Sequence, residues 1–303
     1  MWSFSSIYAP RIGRPADVAT VVIVLHPERD AAVSEAKAMV DWLTETGHQL
    51  RLPPADAERI GHAELGTPED SIAVGADIAV SLGGDGTMLR TVDLVADAGV
   101  PVLGVNHGQL GYLTEVQPDE VRPALERVFA GDYRIEHRMM LDVRVESSSG
   151  GVPVGDITAL NEAVLEKTNP GRTIRIDVIL DGERFTPYAA DGLIVATPTG
   201  STAYAFSARG PIVSPQHRAI LLTPVSPHML FDRTLVLEPD SEVRLVVSGD
   251  RDASLTVDGR LLGELAPGEA IVCRASKTTA QLVTFGGRDF HRILKTKFGL
   301  ADR

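Results

Sequence analysis

The chain has 303 residues, of which 44% are hydrophobic and 23% are charged, and its formal net charge is −12. A chain of this length buries a substantial core, in one large domain or in two ordinary ones. The acidic balance argues against nucleic acid as a partner, because binding a phosphate backbone relies on Lys and Arg. It leaves a small anionic ligand possible, since backbone N–H groups hold such a ligand without net positive charge.

The sequence contains a single cysteine, Cys273, which excludes an intramolecular disulfide and lies in an apolar segment typical of a buried thiol. Residues 1–19 contain no long apolar segment of the kind that signal peptides have. The longest apolar run, VATVVIVL, is far shorter than the roughly 20 residues that a membrane-spanning helix needs. We therefore expect a cytoplasmic protein with no membrane partner.

Apolar segments alternate with helical patterns in the first half of the chain. Strands are predicted at 20–27, 48–52, 77–82 and 100–106, and helices at 29–47, 87–98 and 118–131. Residues 53–70 are predicted as a loop, with a short helix inside it left open as an alternative. Continuous apolar strands that are separated by helices indicate βαβ units on a parallel sheet. The sequence thus predicts a Rossmann-like α/β domain over residues 18–137.

Short segments that alternate apolar and polar residues follow from residue 138 onward. Two Asp-Gly pairs, at 181–182 and 258–259, lie between such segments, which is a strong signal for a β-hairpin. We expect an all-β sandwich domain over residues 138–280. The tail, 281–303, has a helical stripe of apolar residues, and we expect it to pack back on the first domain.

The segment SLGGDGTMLR, residues 81–90, places three glycines around Asp85 between a predicted strand and a predicted helix. Ligands of open α/β sheets bind at this end of the strands, and a helix N-terminus suits a phosphate. We expect the glycines to allow positive φ and a close approach of backbone to ligand. The spacing matches neither the dinucleotide fingerprint nor the P-loop. Asp85 either holds Mg²⁺, accepts a proton from an attacking hydroxyl, or merely caps the helix or shapes the turn.

Two further polar segments interrupt the apolar strands of the second half. Residues 196–215, ATPTGSTAYAFSARGPIVSP, have enough hydroxyls to bind a sugar, a base edge or a phosphate, although a solvated loop would look the same. The pair Asn161-Glu162 departs from a strand pattern, and an ionised Glu accepts hydrogen bonds from both hydroxyls of one ribose. A cross-strand pair or an exposed edge is the alternative. The eight histidines lack ligand spacing, so no metal-ligating residue is predicted.

Together these residues resemble the NAD kinase family. The resemblance rests on Gly83-Gly84-Asp85-Gly86-Thr87, on Asn161-Glu162, and on the string from Asp191 to Tyr204. Residues 100–113 also resemble the segment that follows the family's first motif. The glycine–aspartate motif alone is shared with phosphofructokinases and with diacylglycerol and sphingosine kinases, whereas the 191–204 string is specific.

The resemblance implies an N-terminal α/β domain and a C-terminal β-sandwich that binds the dinucleotide. It implies transfer of the γ-phosphoryl of ATP to the adenosine 2′-hydroxyl of NAD, giving NADP, with Mg²⁺ or another divalent cation accompanying ATP. Inorganic polyphosphate is an alternative donor, and NADH an alternative acceptor. Members of the family are homodimers or homotetramers. A related kinase with another hydroxyl acceptor, and a non-catalytic dinucleotide-binding regulator, stay open as alternatives.

By position, the resemblance makes Asp85 the general base for the 2′-hydroxyl. The phosphate loop is Gly83, Gly84, Gly86 and Thr87. The residues that it implies for NAD binding are Asp85, Gly86, Arg90, Asn161, Glu162, Arg172, Asp191, Thr199, Thr202, Ala203, Tyr204, Ser207 and Arg260. Arg209 stands where the family commonly has a glycine, and Arg260 where members often have Gln or His, so both residues bear on which acceptor is preferred.

Overall fold

The computed structural model describes residues 18–152, 155–286 and 289–300. Most of the amino-terminal segment and the last three residues of the predicted tail therefore lie outside the described residues. Residues Arg138–Thr279 form one compact unit, here called the second unit. The described residues before Arg138 and after Thr279 form the first unit. Within the described ranges, none of the helices combines the length and the apolar character that crossing a bilayer requires.

The helices and strands are numbered in chain order. The helices are α1 Asp30–Glu45, α2 Pro54–Ile60, α3 Asp85–Val95, α4 Val121–Phe129, α5 Tyr204–Ser207 and α6 Phe290–Phe298. The strands are β1 Thr20–Leu25, β2 Gln49–Arg51, β3 Ile78–Gly83, β4 Val102–Asn106, β5 Arg134–Glu146, β6 Asp156–Ala159, β7 Glu162–Lys167, β8 Ile174–Leu180, β9 Glu183–Ala190, β10 Gly192–Ala196, β11 Ile220–Val225, β12 Leu235–Leu237, β13 Val243–Ser248, β14 Ala253–Val257, β15 Arg260–Leu265 and β16 Ala270–Thr284.

The first unit is built on a parallel sheet in the order β2-β1-β3-β4, and the end of β16 pairs with β4 at Leu282↔Val102. Every residue of β1, β3 and β4 is buried, as a parallel sheet covered on both faces requires. The cluster around β1 includes Ala36 and Val40 of α1 and Leu125 of α4. The predicted α/β fold is confirmed, and the carboxyl ends of β3 and β4 lead into neighbouring loops.

Two helices bear on the sequence-based expectation. Helix α2 is the short helix that stayed open within the segment 53–70: Pro54 occupies its first turn, and Gly61, at φ 81°, ends it in the left-handed conformation. Helix α3 begins at Asp85 rather than at residue 87, because Gly84 is still extended and the helix starts directly after it. Asp85 is therefore part of the first helical turn.

The second unit is a sandwich of two antiparallel sheets. One contains the order β16-β13-β8-β9 with β5 paired to β16 and β6 to β5, and the other has the order β12-β11-β10-β7-β14-β15. Apolar side chains from both sheets, such as Val178, Leu193 and Leu255, belong to one buried cluster. The predicted all-β sandwich is confirmed. Both Asp-Gly pairs form hairpin turns, with φ 51° and 82° at Asp181-Gly182 and 48° and 78° at Asp258-Gly259.

Cys273 lies in β16 with its side chain inside the sandwich core, and burial raises the pKa of its thiol to about 12. Since the thiolate is the reactive form, we expect a disulfide reagent to modify the native protein at least ~10²-fold more slowly than the chain in denaturant. Colorimetric titration with an aromatic disulfide measures both rates. Equal rates would show that Cys273 is accessible in the native protein.

Candidate functional site

Three glycines surround Asp85 at the end of β3, and their backbone conformation differs from the one expected, while the expected close approach of backbone to ligand stays a prediction. None of Gly83, Gly84 and Gly86 has a positive φ, so the expectation of left-handed backbone is wrong. A Cβ at Gly83 would clash with the Thr87 side chain, so this glycine allows α3 to begin close to the strand. A Cβ at Gly84 or Gly86 would meet no protein atom within 4 Å. These two positions leave an open face beside the first turn of α3, whose N–H groups have no partner within the helix.

The carboxylate of Asp85 is held by the loop that follows β4. Its Oδ2 accepts a hydrogen bond from the backbone N–H of Tyr112 at 2.8 Å, and its Oδ1 accepts one from Leu113 at 3.0 Å. Gly111 packs directly against the carboxylate, and any Cβ there would clash with it. Each oxygen keeps a further lone pair. The side chain is thus fixed in place and remains able to accept a proton.

A half-buried acid–base pair involves the first residue of the same loop, His107, and Glu35 of α1. His107 donates its backbone N–H to the carbonyl of Gly83 at 2.7 Å, and its Nε2 lies 3.0 Å from Oε2 of Glu35. Burial, followed by repulsion from Asp119, raises the pKa of Glu35 to about 7. Burial and the nearby Arg29 lower the pKa of His107. Both shifts favour the neutral forms of the two side chains. Sequence patterns gave no signal for this pair.

Arg90 faces a buried carboxylate of the first unit. Its Nη1 lies 3.1 Å from both oxygens of Asp56, a residue only 2% exposed, which also accepts the N–H of Leu25 at 2.9 Å. Glu69 lies 3.7 Å away. The guanidinium neutralises a charge that would be costly if left alone. This structural role was not anticipated, and the ligand contact predicted for Arg90 stays a prediction.

In the second unit, Asn161 and Glu162 lie where β6 ends and β7 begins, not within one continuous strand. The carboxylate of Asp258 accepts the N–H groups of Leu160, Asn161 and Glu162 at 2.7, 2.8 and 3.0 Å. Thr197 donates its hydroxyl to the Leu160 carbonyl at 2.6 Å and its N–H to the Asn161 carbonyl at 2.8 Å. These bonds replace ladder pairing and explain why the strand is interrupted here.

Glu162 is a buried acid of this unit. It is 7% exposed, and its Oε2 has no hydrogen-bond partner. Burial, followed by the charge of Asp258, raises its pKa to about 8, and the backbone N–H of Tyr204 opposes that shift. A buried carboxyl oxygen without a partner is costly in a folded protein. Such an oxygen is suited to form a hydrogen bond with a hydroxyl group of a ligand.

The hydroxyls of the 196–215 segment mostly serve the backbone. Ser201 donates to the carbonyl of Pro198 at 2.7 Å, Thr202 donates to Thr199 at 3.2 Å, and the Thr199 hydroxyl accepts from Arg138 at 3.3 Å. These bonds shape the turn that leads into α5. The ligand contacts that the resemblance implies for Thr199 and Thr202 stay predictions.

Several predicted residues border a pocket of about 430 Å³ within the second unit. Tyr204, Ser207 and Arg209 are among its lining residues. Arg209 has φ 66°, a conformation that favours glycine, which agrees with the glycine common at this position in the family. The Tyr204 hydroxyl donates to Glu166.

The remaining predicted residues are dispersed over the second unit. Asp191 pairs with Lys167 at 2.7 Å, and Ala203 precedes α5. Arg172 is exposed between β7 and β8, and Arg260 is exposed at the start of β15. The structure thus brings Asn161, Glu162 and the segment around Thr199 together through Thr197, while Arg172 lies in a different connection.

Within residues 18–152, 155–286 and 289–300, no group of three or more His, Cys, Asp or Glu side chains is close enough together to hold a metal ion. Mg²⁺ commonly keeps several waters and binds through one or two carboxylates together with substrate phosphates. A divalent cation that arrives with a nucleoside triphosphate needs no cage of protein ligands of its own.

A fixed carboxylate beside an open, glycine-lined helix start suits a phosphotransferase, because the helix N-terminus favours a phosphate and a held carboxylate can orient and deprotonate an attacking hydroxyl. Comparison with known proteins narrows this class. Residues 21–133 match the family model described as ATP-NAD kinase N-terminal domain, and residues 160–285 match ATP-NAD kinase C-terminal domain. The chain belongs to the NAD kinase family, whose members are phosphotransferases, so the predicted family and enzyme class are confirmed.

Relatives match along nearly the whole chain. The NAD kinase of Heliobacterium modesticaldum is 43% identical over 279 residues, which cover 92% of this chain and 98% of that protein. The crystal structure of yeast NADH kinase complexed with NADH superimposes with a TM-score of 0.85 at 28% identity, covering 94% of this chain and 89% of that one. An NAD kinase from Archaeoglobus fulgidus in complex with ATP gives a TM-score of 0.71 at 25% identity, covering 93% and 100%.

Replacing Gly111 by Ala tests the placement of Asp85. The added Cβ must displace the carboxylate or its loop, and displacement by about 1 Å costs on the order of 10²-fold in rate. We expect kcat to fall by about that factor while the KM for NAD changes little. The control is Gly155→Ala, because a Cβ at Gly155 meets nothing within 4 Å. Wild-type kcat in Gly111→Ala would contradict the placement.

The raised pKa of Glu162 predicts a pH-dependent stability. The folded protein holds this proton up to about pH 8 while the unfolded chain loses it near 4.5, so stability is lost as pH rises through that window. The Glu162→Gln variant has no ionisable group at this position, so it does not lose stability in this way. We expect the difference between its Tm and the wild-type Tm, both measured by calorimetry, to shift in favour of the variant as the pH rises from about 5 to about 9. Two parallel curves would contradict the raised pKa.

Proposed function

We propose that this chain transfers the γ-phosphoryl of ATP to the adenosine 2′-hydroxyl of NAD and releases NADP and ADP. The observation that carries the proposal is the Asp85 carboxylate, which two backbone N–H groups hold beside the open faces of Gly84 and Gly86. Family membership supplies the two substrates, since relatives along the chain are NAD kinases.

Asp85 acts as the general base. As the 2′-oxygen forms its bond to the γ-phosphorus, the hydroxyl proton passes to a free lone pair of the Asp85 carboxylate. The bond from the γ-phosphorus to the bridging oxygen breaks, and ADP leaves with that electron pair. Phosphoryl transfer has a loose transition state, so positioning and charge neutralisation provide most of the catalysis. A weak base that is held firmly in place is sufficient.

The donor phosphates lie against Gly84, Gly86 and the N–H groups of the first turn of α3. Backbone N–H groups and the positive end of the helix dipole favour a phosphate there. The divalent cation that accompanies ATP neutralises phosphate charge when it is bound. Inorganic polyphosphate offers the same oxygens and is the alternative donor.

Asn161 and Glu162 hold the adenosine of the acceptor. The Oε2 of Glu162, buried and without a partner, receives a ribose hydroxyl, and the amide of Asn161 offers both a donor and an acceptor to the base. The other residues assigned to NAD by position complete the set; they are Gly86, Arg90, Arg172, Asp191, Thr199, Thr202, Ala203, Tyr204, Ser207 and Arg260.

We further propose that the protein is a cytoplasmic homodimer or homotetramer. The second unit exposes large apolar side chains that a partner copy would cover. Phe185 and Phe231 are 43% and 37% exposed and contact each other edge to face at 5.8 Å, and the neighbouring Leu230 is fully exposed.

The Asp85→Asn variant tests the catalytic assignment. An amide cannot accept the proton, so we expect kcat to fall by about 10³-fold or more while NAD binding stays within a few-fold. The purified protein is incubated with Mg-ATP and NAD, a coupled NADP-specific dehydrogenase measures NADP, and calorimetry measures NAD affinity. The control is Asp97→Asn, because Asp97 is exposed in the same unit.

The same assay separates the alternatives. Near wild-type turnover in Asp85→Asn would refute the role of Asp85 as the base. A wild-type protein that binds NAD but yields no NADP would be a dinucleotide-binding regulator or a kinase for another hydroxyl. Replacing ATP by polyphosphate, and NAD by NADH, identifies the preferred donor and acceptor.

A further inference from the structure

The hairpin turn between β14 and β15 makes hydrogen bonds to a distant segment, which a turn that only connects two strands does not need. Asp258 accepts three successive N–H groups through its carboxylate, from Leu160, Asn161 and Glu162. Its own N–H donates to the Glu162 carbonyl at 3.0 Å. Sequence patterns indicate only a hairpin at Asp258-Gly259, and the structure adds four hydrogen bonds to a segment almost 100 residues away in the chain.

We propose that Asp258 is a positioning residue for the acceptor. By accepting hydrogen bonds from three consecutive backbone N–H groups, it fixes the orientation in which Asn161 and Glu162 bind the dinucleotide. This inference rests on the proposed function of those two residues, which it deepens. Asp258 itself is assigned no contact with substrate.

The backbone of residues 160–162 is completely satisfied by two residues. Asp258 takes all three N–H groups and donates to the last carbonyl, and Thr197 donates to the first two carbonyls. Gly200 packs so closely on the Asn161 carbonyl that a Cβ would clash with it. In a regular strand, successive N–H groups point to opposite sides, so their convergence on one carboxylate holds a bend. Every backbone N–H and C=O group of the bend therefore already has a hydrogen-bond partner.

The charge of Asp258 also acts on Glu162 directly. After burial, it is the second cause of the raised pKa of Glu162, and the group that opposes it is the Tyr204 N–H from α5. Replacing the Asp258 carboxylate by an uncharged group therefore has two effects. It loosens the bend, and it lowers the pKa of Glu162. The pKa change follows from the loss of the charge alone, so the effect on dinucleotide binding is what distinguishes a positioning role from a purely structural one.

The chain contains a matched control in its other Asp-Gly hairpin. Asp181 has φ 51°, close to the 48° of Asp258. Its Oδ1 accepts the N–H of Glu242 at 2.8 Å, and its own N–H donates to the Glu242 carbonyl at 3.1 Å. Asp181 thus shares the turn conformation and the exchange of backbone hydrogen bonds with a distant segment, although it accepts one N–H group where Asp258 accepts three. Its partner segment leads into β13 and contains none of the residues assigned to a ligand.

The experiment compares Asp258→Asn with Asp181→Asn in the full chain. Asn tolerates positive φ, so both turns persist while the charge is lost. For Asp258→Asn we expect the KM for NAD to rise by about 10- to 100-fold, with a smaller change in kcat. We also expect the inflection that Glu162 gives in the pH profile of kcat/KM to move to lower pH. Asp181→Asn should keep wild-type values of both.

Thr197→Val provides an independent variant. It removes the hydroxyl bond to the Leu160 carbonyl and leaves the charges in place, so the KM for NAD should rise without a shift of the pH profile. If Asp258→Asn does not fold, Thr197→Val still tests whether the bend at residues 160–162 positions the acceptor. Wild-type KM in Thr197→Val, or a KM and pH profile of Asp258→Asn equal to those of Asp181→Asn, would overturn the proposal.

A binding measurement separates this inference from the proposed reaction. Calorimetric Kd values for NAD are measured in all four proteins, and they need no turnover. Suppose that Asp258→Asn and Thr197→Val bind NAD more weakly, and that the wild-type and Asp181→Asn proteins bind it equally well. That result supports the positioning role even if the wild-type protein forms no NADP. Equal Kd values in all four proteins contradict that role even if NADP is formed.

Discussion

A carboxylate that accepts consecutive backbone N–H groups organises the candidate residues of each unit. In the first unit Asp85 holds Tyr112 and Leu113, and in the second Asp258 holds three amides ending at Glu162. Hydrogen bonds to a charged acceptor contribute about 1.5–3 kcal/mol each, and successive amides also fix the direction of the chain. Loops without regular pairing thus acquire one defined path, and the side chains on them acquire one position.

Local patterns were enough to predict the architecture. Buried parallel strands appear as continuous apolar runs, and Asp-Gly between alternating segments predicts a hairpin, so the α/β fold and the sandwich followed from nearby residues. The glycine–aspartate loop was placed correctly between β3 and α3. The positive φ expected of its glycines was wrong, because whether a glycine serves positive φ, close packing or an open face depends on neighbours such as Thr87 that only the fold brings near.

The interactions of the candidate residues were not predictable, because they join distant segments. Asp258 had the pattern of an ordinary turn residue, and nothing in the sequence places it under residues 160–162. Arg90 carried a ligand-facing prediction, yet it faces Asp56, which is buried only once α2 has folded. A dense run of hydroxyls suggested ligand contacts, but hydroxyls such as that of Ser201 satisfy turn carbonyls that a sequence pattern does not reveal.

The proposed reaction places the terminal phosphate of ATP on one particular hydroxyl of NAD. Phosphorus NMR of the product formed from NAD and isotopically labelled ATP tests this regiochemistry, because coupling to ribose protons identifies the esterified carbon. We expect one new phosphate monoester on the adenosine 2′-oxygen, carrying the label of the γ-phosphoryl group. Phosphate on any other hydroxyl, or label from another position of ATP, would contradict it.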